Sequence, residues 1–235
     1  MLTTAQQIIT PSFLNPGALT FIPGEQRIFR RKENLTVSQN AAKYRIVTNG
    51  PRPGRWENNL TPYLVEPMDT LNLPWVRQVI LQFAPQTGKT QVPINFLAYA
   101  ILQDPGPVMY IMPDEKVTKR TARRSLLPMF RNSPRIAELM SPVAADTTHM
   151  SVHFIHGMDV MMAWATSAAE MASESVRYLI RDETDKFPDF TGKEADPRAL
   201  SDQRTNAYPD TCKIIDLSTP TDETGHIGRA METEA

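Results

Sequence analysis

"LQFAPQTGKTQ", residues 81–91, carries the reading on which the fold turns. An apolar run breaks at Pro85 and closes on Gly88-Lys89-Thr90, the ending of a phosphate-binding loop. The usual pattern is G-x-x-x-x-G-K-[ST], and Phe83 stands where its first glycine would be. A turn with an incidental lysine is the plain alternative. Position separates the two, because the tripeptide lies where a strand pattern hands over to a helical one. There, backbone N–H groups and a helix N-terminus face an anion, Lys89 reaches the β- and γ-phosphates, and the Thr90 hydroxyl binds Mg²⁺. Pro85, Gln86, Thr87, Gly88, Lys89, Thr90 and Gln91 are therefore expected to hold the phosphates of ATP. Phe83 and Gln86 replace residues often found as glycine, which predicts a stiffer start to the loop.

Outward from this point the pattern is regular. "VRQVILQF" (76–83) is nearly continuous in apolar residues and predicts a strand buried on both faces. A helix over 89–103 follows, with Pro93 tolerable in its first turns. "GPVMYIMP" (106–113) is a second buried strand, and Asp114 and Glu115 then suit a helix N-terminus. "MSVHFIHG" and "MDVMMAWAT" predict a strand pair around Gly157, "SAAEMASE" a short helix and "SVRYLIRDE" a strand. A helical stretch near 196–208 leads to the last strand, "CKIIDLSTP" (212–220). Strands alternating with helices predict an α/β fold with a mostly parallel sheet flanked by helices. Taken with the Gly-Lys-Thr loop, the expectation is a P-loop NTPase (RecA/ASCE-like) sheet. Upstream, a helix with Leu64, Met68 and Leu71 on one face precedes the first strand. Residues 1–59 are rich in proline, glycine and asparagine without periodicity, and read as an irregular N-terminal arm before a domain over 60–235. Its cluster Arg27, Arg30, Arg31 and Lys32 is either a solvated charge run or a nucleic-acid contact.

Composition narrows the classes. The chain has 235 residues, 41% apolar, and a net charge of −1, so any contact with nucleic acid depends on local positive charge. A single cysteine, Cys212, excludes an internal disulfide and a multi-cysteine metal site. No stretch approaches the roughly 18 uninterrupted apolar residues of a membrane span, and no leader pattern opens the chain. A soluble, cytoplasmic chain without a membrane partner is expected.

Two further strand ends carry chemistry. In "VRYLIRDETDKFP" (176–188), Asp182 and Glu183 follow an apolar run that Arg181 interrupts. In a phosphate-loop ATPase an aspartate here holds the Mg²⁺ shell, and a following glutamate polarises the attacking water. Acidic pairs also close ordinary strands, so the order of motifs decides. In "IIDLSTPT" (214–221), Ser218, Thr219 and Pro220 end a strand where hydroxyls can sense the γ-phosphate. Ligands collect at the carboxyl ends of parallel strands, where all three elements are expected.

The basic stretch "KVTKRTARR" (116–124) includes Arg120, Arg123 and Arg124. It reads as an arginine finger for a neighbour's ATP, a DNA-backbone contact or a solvated helix face. Four histidines, His149, His153, His156 and His226, invite a metal reading, but His149, His153 and His156 have no acidic partner at ligand spacing and no metal site is expected from them. The methionines of "GMDVMMAW" read as core filling.

The blocks "TPYLVEPMDTL", "APQTGKTQVPINFLAYAI", "DPGPVMYIMPDEKVTKRTARRSLLPMF", "AWATSAAEMASESVRYLIRDETDKFP" and "IIDLSTPT" resemble, in order, lambda-type phage terminase large subunits. The resemblance covers roughly residues 60–235, and its two central blocks are the specific part. It implies a motor ATPase that moves double-stranded DNA into a procapsid in the host cytoplasm. The implied partners are a portal protein, a small terminase subunit and further copies in a ring. By motif match, Lys89 and Thr90 bind phosphate and Mg²⁺, Asp182 binds the metal, Glu183 is catalytic, and Ser218-Thr219-Pro220 is the coupling motif. The loop has no basic residue before Lys89, so a catalytic arginine is expected from 120–124 or from a neighbouring subunit. Family members continue beyond "GHIGRAMETEA" into a nuclease, and no nuclease site is expected here. Two rivals stand beside this reading. One is a helicase-like translocase, since "DETD" mimics a D-E-x-D box; the other is a non-catalytic interaction module that retains the fold.

Overall fold

Apolar runs separated by helical segments must bury both faces of a sheet, and the computed structural model, which describes residues 33–191, 196–220 and 225–233, does so. Two short strands, β1 (Ile46–Val47) and β2 (Gly54–Arg55), pair antiparallel on their own. The main sheet contains β3 (Gln78–Gln82), β4 (Val108–Met112), β5 (Ser151–His153), β6 (Asp159–Trp164), β7 (Tyr178–Asp182) and β8 (Lys213–Ser218), in the order β3-β8-β7-β4-β6-β5. Every neighbouring pair is parallel except β5 with β6. That last pair is the hairpin expected around Gly157, which turns at a φ of +81°.

β4 and β7 are buried at every residue and lie inside the sheet. The run 76–83, expected to be equally buried, forms β3 at the sheet's edge instead. It pairs only with β8 among the described strands and is mostly half-buried. An apolar run reports covered faces, and an inner and an edge strand differ in their backbone neighbours rather than in their faces.

The longer helices are α1 (Val37–Tyr44), α2 (Val65–Thr70), α3 (Gln91–Gln103), α4 (Glu115–Thr121), α5 (Leu127–Asn132), α6 (Pro197–Asp202) and α7 (His226–Thr233), with four-residue helices at Pro134–Ala137 and Ala168–Met171 and short turns between. α1 opens with a capping box between Thr36 and Gln39. It docks on the end of α2, where Val37 N donates to Asn72 Oδ1 at 2.7 Å and Ser38 N to Asp69 Oδ1 at 2.9 Å. α1 covers α3, which explains why α3 is apolar nearly all round, with Val92, Ile94, Phe96, Leu97 and Ile101 buried. The sequence sets residues 1–59 apart as an arm, yet Val37, Ala41 and Trp56 belong to the main core and Asn34–Ala235 is one compact unit. A proline- and glycine-rich segment without periodicity still buries its few apolar side chains once a face is offered. Arg27, Arg30, Arg31 and Lys32 lie outside the described residues.

The basic helix expected after β4 is divided. Asp114 caps α4, accepting from Val117 N at 2.8 Å, and α4 then passes through a π turn, Ala122–Leu126, into α5. On the sheet's other face a second core gathers Met109, Ile111, Leu179, Phe187 and Ile214. Alternation along β7 therefore sends Tyr178, Ile180 and Asp182 toward the α3 side, and Leu179 and Arg181 toward α6. Among the described residues no helix is long and apolar enough to cross a membrane.

Candidate active site

The loop between β3 and α3 is built around two residues with positive φ, Gln86 at +59° and Gly88 at +82°. Gln86 adopts the left-handed conformation that glycine normally supplies, so the chain makes the turn without glycine there. The loop is braced from outside. Tyr63 Oη donates to Thr87 O at 2.8 Å, its ring packs on Phe83 with centroids 6.4 Å apart, and Thr87 Oγ1 donates to Ala84 O at 2.8 Å. α3 starts immediately after, and its N-cap Thr90 makes no side-chain capping bond. The positive end of the helix dipole thus opens onto the loop without a local acid to neutralise it.

Lys89 is buried and its ammonium donates to Thr219 Oγ1 at 2.6 Å, which joins the loop to the end of β8. Beside it, Ser218 Oγ accepts from Asp185 N at 3.1 Å, and Asp185 Oδ1 accepts from Ile227 N at 2.7 Å, tying the strand end to α7. Pro220 is exposed just beyond. Asp182 ends β7, is 1% exposed, and accepts from Tyr110 Oη at 2.9 Å through Oδ2. Burial pushes its pKa up to about 6; the Tyr110 hydrogen bond opposes this, Glu183 adds to it, and Lys89 and Thr90 counter it. Glu183 sits in the left-handed region at a φ of +59°, with its carboxylate paired to Lys186. A non-glycine residue held there marks a backbone fixed by its surroundings.

The structure therefore brings Lys89, Thr90, Asp182, Glu183, Ser218 and Thr219 together at the carboxyl ends of three adjacent parallel strands. A hollow next to the loop is lined by Arg52, Trp56, Tyr63, Gln86, Thr87 and Gln91. Arg45 reaches this region from the end of α1. Its guanidinium donates to Gln91 Oε1 and Asn95 Oδ1 and lies over Trp56, and burial pulls its pKa down to about 9. Arg120, Arg123 and Arg124 are exposed on α4 and the π turn and form no hydrogen bond or ion pair with another described residue.

A divalent cation fits the site. Asp182 Oδ1 is buried without a hydrogen-bond partner, and the Thr90 hydroxyl acts on the same carboxylate. Among the described residues no group of three or more His, Cys, Asp or Glu is placed to hold a metal ion. His153, expected to lack an acidic neighbour, pairs through Nδ1 with Asp159, its partner across the β5–β6 hairpin; a linear spacing rule does not register cross-strand neighbours. His156 Nε2 lies 3.0 Å from Ile101 O, and His226 lies 3.7 Å from Asp189.

Tyr63, Tyr110, Arg45 and Arg181 were not singled out as site residues by sequence. One signal was present: a tyrosine within a wholly apolar strand, "VMYIM", must send its hydroxyl to some polar partner.

The family described as phage terminase large subunit gpA, ATPase domain, matches residues 50–234. Among solved structures, the HK97 bacteriophage large terminase is similar at 15% identity and a TM-score of 0.66, over 85% of this chain and 42% of that one. The large terminase of a thermophilic bacteriophage is similar at 11% identity and a TM-score of 0.50, over 72% of this chain and 42% of that one. At these identities the likeness is one of fold, and the chain spans 42% of the length of each. No curated protein matches. The family match does not favour the helicase-like or non-catalytic alternatives. The chain belongs to the phage terminase large subunit gpA ATPase-domain family.

Proposed function

As a member of that family, the chain is, we propose, the ATP-hydrolysing part of a motor that drives double-stranded DNA into a procapsid in the host cytoplasm. The observation that supports the reading best is the convergence of Lys89, Asp182, Glu183 and Thr219 at one end of β3, β7 and β8. In this proposal the loop N–H groups, the α3 N-terminus and Lys89 bind the β- and γ-phosphates. Thr90 and Asp182 would hold Mg²⁺, which would neutralise charge developing on the phosphates. Glu183 orients the attacking water, and the hollow beside Trp56 and Tyr63 receives the base and ribose.

Thr219 Oγ1 accepts from the Lys89 ammonium. A γ-phosphate takes that ammonium over, and Ser218-Thr219-Pro220 passes the change through Asp185 to α7. Arg120, Arg123 and Arg124 serve either a neighbouring subunit's ATP or DNA phosphates, within a ring of copies on the portal protein that a small terminase subunit brings to DNA.

Glu183→Gln tests the chemistry, since it retains size and hydrogen bonding but loses the charge that polarises water. Nucleotide affinity is expected to stay near wild type while turnover falls on the order of a hundredfold or more. Lost affinity with an unchanged rate per bound ATP would remove Glu183 from this role. Turnover measured against protein concentration, with Arg120, Arg123 and Arg124 changed singly to alanine, tests the shared site. A fast, concentration-independent rate untouched by all three changes would show that one chain is sufficient.

A further inference from the structure

Three neighbouring strands, β3, β8 and β7, end in the phosphate loop, Ser218-Thr219 and Asp182-Glu183. On the sheet face opposite Asp182, one polar side chain from each of these strands joins a network centred on Asp216. Arg181 grips Asp216 with two prongs, Nε to Oδ1 at 2.5 Å and Nη2 to Oδ2 at 2.9 Å, and the two residues are direct register partners. Gln78 Nε2 donates to the same Asp216 Oδ2 at 2.7 Å. Arg181 Nη1 reaches Asp202 Oδ1 at 2.8 Å and Arg198 O at 3.1 Å on α6.

The Arg181 and Asp216 side chains are each 1% exposed. A buried ion pair loses so much solvation that apolar side chains of similar volume are often as stable or more so. Stability alone therefore gives little reason for charge at this point. Direction does. A guanidinium fork meets a carboxylate in one geometry, whereas apolar contacts tolerate small slides of one strand past the next. Arg181 directly precedes Asp182, and Asp216 stands two positions before Ser218 on the same strand.

We propose that Arg181, Asp216 and Gln78 are positioning residues of the ATP site, a buried clasp that sets the relative height of three strands so that Lys89, Asp182 and Thr219 engage one nucleotide together. The proposal rests on the ATPase reading for its consequence and on the side-chain geometry for its mechanism.

The test replaces the ionic pair by an apolar one, Arg181→Met with Asp216→Leu, in the full chain. The melting temperature is expected at or above that of wild type, while affinity for a Mg²⁺-bound non-hydrolysable ATP analogue, read by calorimetry, falls about tenfold or more. In protein without added nucleotide, hydrogen exchange at the amides of residues 182–185 and 218 is expected to quicken by about tenfold without a fall in melting temperature. A double variant with wild-type melting, affinity and exchange would overturn the clasp, because the pair would then only fill space. The exchange readout holds whether or not nucleotide binds; wild-type protein that binds no analogue would instead count against the ATPase reading. Should the double variant not fold, Gln78→Leu removes one uncharged donor from a half-buried position and is expected to weaken analogue affinity by about threefold. Wild-type affinity and exchange in that variant would equally overturn the proposal.

Discussion

Arg181 and Asp182 are consecutive on β7 and both wholly buried, but the two faces of the strand treat them in opposite ways. On the α6 side, Arg181 donates to Asp216, Asp202, Ser201 and the Arg198 carbonyl. Burial opposes its charge, yet Asp216 and Asp202 outweigh burial and hold its pKa above the ordinary arginine value. On the α3 side, Asp182 has one tyrosine donor, one bare oxygen and a pKa raised to about 6. Every donor nitrogen of the Arg181 side chain has a partner within the protein, and Asp182 retains an oxygen that has none. A buried polar group with its partners in place fastens the fold, and one left short marks where something else binds.

The contrast breaks most visibly at Lys89, the cation that acts on the Asp182 carboxylate. Lys89→Ala is expected to lower nucleotide affinity and turnover on the order of a thousandfold. Among the described residues its one side-chain hydrogen bond is to Thr219, so the melting temperature should change little. Wild-type turnover in the purified variant would remove the lysine from the site.

The same substitution on each face sharpens the comparison. Asp216→Asn leaves Arg181 short of its main counter-charge and should cost about 3 kcal/mol of stability. Asp182→Asn removes a carboxylate that the fold holds poorly, and at pH 7 in metal-free buffer should stabilise by about 1 kcal/mol. The folded Asp182 binds its proton more tightly than an unfolded one, whose pKa is near 3.8. Stability of the wild type therefore falls as pH rises from there to about 6, and its gap to Asp182→Asn should widen over that window. Urea unfolding of both variants checks the signs; two changes of the same sign would erase the distinction between the faces.

The smallest expected effect lies at the edge of the ligand face. Tyr63→Phe retains the ring against Phe83 but drops the exposed hydrogen bond to Thr87 O. Nucleotide affinity should weaken by about threefold with an unchanged melting temperature. An effect as large as that of Lys89→Ala would mean that Tyr63 contacts the nucleotide itself.

That Lys89, Asp182, Glu183, Ser218 and Thr219 lie near one another is legible in the sequence, because they follow strand-forming apolar runs and parallel strands present their carboxyl ends on one side of the sheet. Fold class is legible for the same reason: the strand and helix periods are local properties of the chain. The edge position of β3, the folding of residues 34–59 onto α3, and the pairing of His153 with Asp159 are not, because each depends on which distant segment lies alongside. Arg181 shows the boundary most clearly. As a letter in "VRYLIRDE" it only interrupts an apolar run. Its partners Asp216 and Asp202 stand 35 and 21 positions away, and only strand register and the docking of α6 bring them within hydrogen-bond reach. By itself the sequence determined the alternation of strands and helices and the residues at strand ends, since covalent order and side-chain period suffice for both. Tertiary structure alone decided which buried charges are satisfied, because hydrogen bonds of fixed length and direction form only after packing has set distances through space.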